Sequence, residues 1–259
     1  MAGNAEMRKV AREGALLAGG ARAILLQVAH PGVARGVVEH SDFAARPLDR
    51  LRATLTYVYG VTFGTPEEIA AVTAMVTEAH RPVTGPGYRA SDPELQLWVA
   101  ATLYDTAVVV YEELFGPLDP VRAEKVYEQY AVLGTALQVP DGHWPADRAA
   151  FSAYWRHMVD TLEVSDEARG VAHDLLHPVQ APLPLKVAMP LNRFLTAAWL
   201  PERIRRGYGI GWGDADQRRY DLLMRLARPA YRLVPVPLRE VPKTWYLHDL
   251  RKRKISGAG

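Results

Sequence analysis

Three residues in the first third of the chain, Arg50, Thr54 and His80, have the types and spacing for cofactor chemistry. They fall in two helix-like segments, PLDRLRATLTYVYG and IAAVTAMVTEAHRPVTG, joined by a turn, VTFGTPEE. Residues four apart share a helix face, so Arg50 and Thr54 offer a guanidinium and a hydroxyl to one volume. In the second segment Ile69, Val72, Val76 and Ala79 form an apolar stripe. At about 100° per residue His80 lies within roughly 40° of Val76, so it points at the core. An imidazole in apolar surroundings, with a cation and a hydroxyl on a neighbouring helix, suits haem iron. That metal needs one neutral imidazole, an apolar slot and a few hydrogen-bond donors to handle dioxygen. The commoner role of a lone histidine on an apolar helix face is a core residue bonded to a backbone carbonyl.

The elements that position these residues read as helices throughout. Residues 5–30 have helical spacing, with Leu17, Ala21, Ile24, Leu25 and Val28 on one face and a break expected at Gly19-Gly20. Pro31 ends that helix at His30, and a short helix or turn follows to Glu39. His30 and His40 then sit at element ends, where an imidazole meets free backbone carbonyls. Thr65-Pro66-Glu67-Glu68 is a helix start, and that helix stops at His80-Arg81-Pro82. Ser91-Asp92-Pro93-Glu94 opens a long helix to about Leu114, apolar on nearly every side, as a central buried helix must be. Asp119-Pro120 opens another to about Leu137, and Asp147 to Leu162 and Ser165 to His177 follow. Further helices span Val187 to Trp199 and Asp214 to Val234, and Pro235 to Lys254 reads as a strapped-down tail. Almost no stretch alternates with period two, so the expected fold is an all-α multi-helix bundle; the haem reading of His80 adds the expectation that it encloses a haem-sized apolar pocket. One helical domain over residues 1–259 is expected, with core motifs in 12–137 and a C-terminal part, 183–259, packed on them.

Composition narrows the functions. The 259 residues carry 31 basic and 29 acidic side chains, a net charge of +2 too balanced to imply a nucleic-acid partner. The tail Arg251, Lys252, Arg253, Lys254 is locally basic and reads as a solvated end, with membrane-surface contact as the lesser reading. No run reaches the ~18 apolar residues of a spanning helix, because Arg22 and Asp105 interrupt the two candidates. The N-terminus is too short in apolar residues for an export signal, so the expected location is cytoplasmic. With no cysteine, thiolate catalysis, iron–sulfur clusters, cysteine–zinc sites and covalent haem are excluded. His173 and His177 have the spacing of a helical zinc pair but lack the glutamate of a metalloprotease motif, and read as a surface pair. Gly207, Gly209, Gly211 and Gly213 follow a basic helix rather than a strand, so a dinucleotide loop fails its context.

The segments REGALLAGGARAILLQVAHPGVARGVVEHSDF, RPLDRLRATLTYVYGVTFG, EAHRPVTG, YRASDPELQLWVAATL and WLPERIRRGYGIGW together cover most of the chain from Arg12 to Trp212. In order and spacing they resemble a bacterial and fungal family that includes the latex clearing protein (rubber oxygenase) and the oxygenase of mycophenolic acid biosynthesis. The resemblance implies an all-helical protein holding haem b without a covalent bond. It implies His80 as the proximal iron ligand, and Arg50 and Thr54 as the polar pair near the haem. Ala53 stands where the rubber oxygenase has a lysine that caps the iron, which implies a sixth position open or filled by water. Ala100 stands where many relatives have a histidine, in WVHATL.

The expected function is a haem b-dependent oxygenase using dioxygen on a hydrophobic, unsaturated small molecule. Two alternatives use the same residues. One is a haem-binding carrier, sensor or peroxide-handling protein; the other is a cofactor-free helical interaction protein in which Arg50, Thr54 and His80 are structural.

Overall fold

A computed structural model describes residues 4–40, 47–179 and 182–256, with side chains at all of these except 47–50 and 254–256. Helix α1 (Ala5–Ala11) leads through a 3-10 segment (Gly14–Gly19) to α2 (Gly20–Ala29), α3 (Pro31–His40), α4 (Pro47–Phe63) and α5 (Pro66–His80). A two-residue antiparallel pair follows, β1 (Thr84–Gly85) with β2 (Tyr88–Arg89). Then come α6 (Pro93–Phe115), α7 (Pro120–Tyr130), α8 (Val132–Thr135), α9 (Arg148–Thr161) and α10 (Asp166–Leu176). The chain ends with α11 (Leu183–Trp199), α12 (Glu202–Gly207), α13 (Asp214–Leu233), α14 (Val236–Arg239) and α15 (Val241–Ser256). The fold is all-α, as the periodicity predicts.

Side-chain caps start the helices where the sequence places them. Thr65 Oγ1 accepts from Glu68 N at 3.3 Å while Glu68 Oε2 accepts from Thr65 N at 3.0 Å, a reciprocal capping box in front of Pro66. Asp92 caps α6 by accepting from Glu94 N at 3.0 Å, and Gly116, at φ +85, ends it. Helix α6 runs through the centre: Trp98 and Ala101 are wholly enclosed, and the Trp98 indole donates to Leu26 O of α2 at 3.0 Å. Tyr104 then meets Phe151 of α9 edge-on at 4.9 Å, so aromatic packing joins α6 to the helices beyond it.

Several boundaries differ from the sequence reading, most for a tertiary reason. The N-terminal helix breaks first at Arg12 and Glu13, ahead of Gly19-Gly20. The buried Glu13 carboxylate is held there by the Tyr231 hydroxyl at 3.0 Å and Arg239 Nη1 at 3.2 Å, both from the far end of the chain. Helix α4 runs past Gly60 to Phe63, because Gly60 is a crossing point: a Cβ there would lie 2.8 Å from Val72 of α5. The helix from Asp119 stops at Tyr130 and restarts as α8, where Gly134 closes against Val139 and Ala100. Helix α11 begins at Leu183, four residues before the expected Val187, with Pro184 in its first turn, where a missing N–H costs nothing. The expected tail is helical as α14 and α15. Asp249 of α15 pairs with Arg52 of α4 at 2.6 Å, and Arg251 donates to the capping carboxylate Glu68 at 2.8 Å.

Candidate functional site

His80 is the last residue of α5, and the turn after it is tied down from α3. His80 O accepts from Val83 N at 2.9 Å. From α3, His40 Nε2 donates to Thr84 O at 3.1 Å, Arg35 Nη1 donates to Pro86 O at 2.9 Å, and Glu39 accepts from the Tyr88 hydroxyl of β2 at 2.5 Å. These bonds set α3, α5 and the β1–β2 turn around one cavity of about 350 Å³.

Thr54 from α4 and His80 from α5 both line that cavity. Its other walls are mostly apolar, with Val37 from α3, Val76 from α5 and Val99 and Leu103 from α6 among them. Arg50 belongs to α4 by backbone, one turn before Thr54, but its side chain lies outside the described residues. The stripe expected to bury His80 is only partly sunk. Val72 is enclosed, whereas Ile69 and Val76 are half-buried, Ala79 is exposed and His80 is half-buried along the cavity side of α5. Ala53 and Ala100 are also on the cavity wall.

Sequence reasoning missed the other polar groups here. Gln96 is spent structurally, accepting from Gln138 N at 2.7 Å and donating to Ala90 O at 3.0 Å. Tyr57 donates to Leu133 O at 2.8 Å, and burial pushes its phenol well above the ordinary tyrosine range, so it stays a protonated donor. Gln27 and His40 complete the polar lining. All four lie within the resembling segments, but nothing in those segments marks them as cavity residues; only the folded chain brings them together. A second, smaller chamber of about 90 Å³ adjoins the first, and Gln27, Thr54, Leu103 and Leu133 face both.

His30 behaves differently from the expectation that it bonds a carbonyl. Its Nδ1 accepts from Gly32 N at 3.1 Å, serving as the cap of α3, because Pro31 leaves that N–H as the first in need of an acceptor. Burial, reinforced by Arg35 and opposed by Asp92, holds the His30 imidazole below its ordinary value of 6.5. The unfolded chain therefore takes up this proton at a higher pH than the folded one. Stability from His30 is intact above about pH 6.5 and falls as the pH drops towards the lowered folded value. Wild-type melting temperature should fall more steeply on acidification through that window than His30→Asn, which keeps an acceptor; identical slopes would contradict this.

His173 of α10 and His177, just past its end, are exposed, with rings stacked at 4.9 Å. Among the described residues no three His, Asp or Glu side chains come together as a metal cage.

Residues 7–229 match the family described as ER-bound oxygenase mpaB/B'/Rubber oxygenase, catalytic domain. The chain belongs to this family, which is an oxygenase catalytic domain. It is also similar to Uncharacterized protein Rv2237 of Mycobacterium tuberculosis and Uncharacterized protein Mb2261 of Mycobacterium bovis. Each is 38% identical over 244 residues, covering 90% of this chain and 96% of the relative. No solved structure matches the chain significantly. Among the described residues no helix is long and apolar enough to cross a membrane.

Proposed function

We propose that the chain is a haem b-dependent oxygenase that uses dioxygen on a hydrophobic, unsaturated small molecule. The observation that carries this reading is that Thr54 and His80, from different helices, line one predominantly apolar cavity in a member of an oxygenase family. The donor set fits haem: a single imidazole suffices for a metal that arrives with four ring nitrogens, and the apolar wall suits a porphyrin. Haem, when bound, supplies the binding and activation of dioxygen.

The chain's own residues do the rest. His80 would hold the iron through one ring nitrogen, and the bonds of Arg35, Glu39 and His40 fix the turn that follows it. Thr54, with Arg50 one helical turn before it, donates hydrogen bonds where negative charge develops. Val37, Val76, Val99 and Leu103 exclude water and hold the substrate's apolar body, and the low dielectric strengthens those donors.

Thr54→Val removes the hydroxyl and keeps the shape. Turnover of a diene or terpenoid substrate, followed by oxygen consumption, should fall about 100-fold, the usual cost of losing one such donor. Haem content should be unchanged. Full turnover in this variant would show that Thr54 only lines the wall.

A further inference from the structure

The chain is electrostatically divided in a way its near-neutral total hides. From residue 182 onward it carries sixteen Lys and Arg against six Asp and Glu, whereas residues 1–181 carry fifteen against twenty-three. Exposed large apolar side chains follow the same division. Of the fourteen such residues among those described, eleven lie between Val179 and Trp245.

Two neighbouring helices concentrate both features. Helix α13 turns Tyr220 and Met224 into the core, where they pack with Leu195 and Trp199 of α11. Its opposite face exposes Leu222 and Leu226, at 56% and 64%, with Arg218 and Arg225 exposed beside them; Arg219 pairs with Asp216 at 3.6 Å, and Asp214 and Asp221 are exposed on the same helix, which keeps a net positive charge. Helix α11 buries Met189 and exposes Leu183, Val187 and Leu191 at four-residue spacing. Each helix thus has one apolar side spent on the core and another facing outward, which folding alone does not require.

We propose that the α11–α13 face docks on an anionic lipid bilayer, its leucines entering the headgroup boundary and its arginines engaging lipid phosphates. Apolar side chains flanked by cations on a surface helix are the pattern of interfacial attachment. The competing occupants fit less well. A symmetric second copy would set like charges against each other, and a nucleic acid would engage the arginines without using the leucines. This goes beyond the oxygenase reading and does not depend on the cofactor.

The test is flotation of the full chain with vesicles of phosphatidylcholine, alone or with about one-third phosphatidylglycerol, at low and high salt. The proposal predicts partitioning at least about tenfold stronger on the anionic vesicles, weakened by salt. Leu222→Glu with Leu226→Glu should cut it about tenfold further, at unchanged helicity by circular dichroism. Arg218→Gln with Arg225→Gln should cut it several-fold and flatten the salt response. Equal partitioning of wild type on both vesicle types, or no loss in the Leu222→Glu/Leu226→Glu variant, overturns the proposal. So does absence of vesicle binding alongside self-association or duplex DNA binding that survives the leucine changes.

Discussion

His80→Ala, purified from haem-supplemented cells, should be colourless and lack a Soret band, while wild type carries haem. Removing the one proposed protein ligand would leave the group only the contacts of the cavity wall, with no nitrogen from α5 to hold the iron. A ligand role separates from a packing role by rescue. His80→Gly leaves a space that free imidazole fits, so added imidazole should restore a Soret band. Because His80 is half-buried at a helix end, either substitution should leave the helical content unchanged. Wild-type haem content in His80→Ala would move the ligand elsewhere. His40, which lines the same cavity, is next in line, whereas His30 is committed to capping α3.

Arg22→Met should produce the largest loss of stability among single changes away from the cavity. Arg22 is 2% exposed and donates from all three guanidinium nitrogens. Nε donates to Trp199 O at 2.7 Å, Nη1 to Thr106 Oγ1 at 2.6 Å and Nη2 to Asp105 Oδ2 at 2.6 Å. One side chain therefore joins α2, α6 and α11. Removing one partner of a buried pair strands the other, at about 3 kcal/mol here because Asp105 keeps some contact with solvent. For a chain of this size that is a fall in melting temperature of roughly 6–12 °C. Adding Asp105→Asn should recover part of the loss, since the stranded charge is then gone. A melting temperature within about 2 °C of wild type in Arg22→Met would contradict this account of the core.

Much of the fold was legible in the sequence because its signals are local. Thr65, Asp92, Asp119, Asp147 and Ser165 each cap the helix they were read to start, through bonds to residues two or three further on. What was not legible depends on distant partners. Glu13 breaks a helix because Tyr231 and Arg239 reach it, and no pattern near residue 13 announces that. Gly60 reads as a stop but is the point where α4 and α5 touch. At the candidate site, Thr54 and His80 were found through motifs, and they line one cavity. Gln27 and Tyr57 were not, since a glutamine in an apolar helix or a tyrosine among apolar residues carries no sequence mark of a cavity wall.

The most direct measurement is an absorbance titration of purified wild-type chain with hemin, starting from protein made without added haem. The account predicts a Soret band that grows to saturation at one equivalent per chain, with His80→Ala giving only the broad spectrum of free hemin. Free-hemin absorbance throughout the wild-type titration would contradict it.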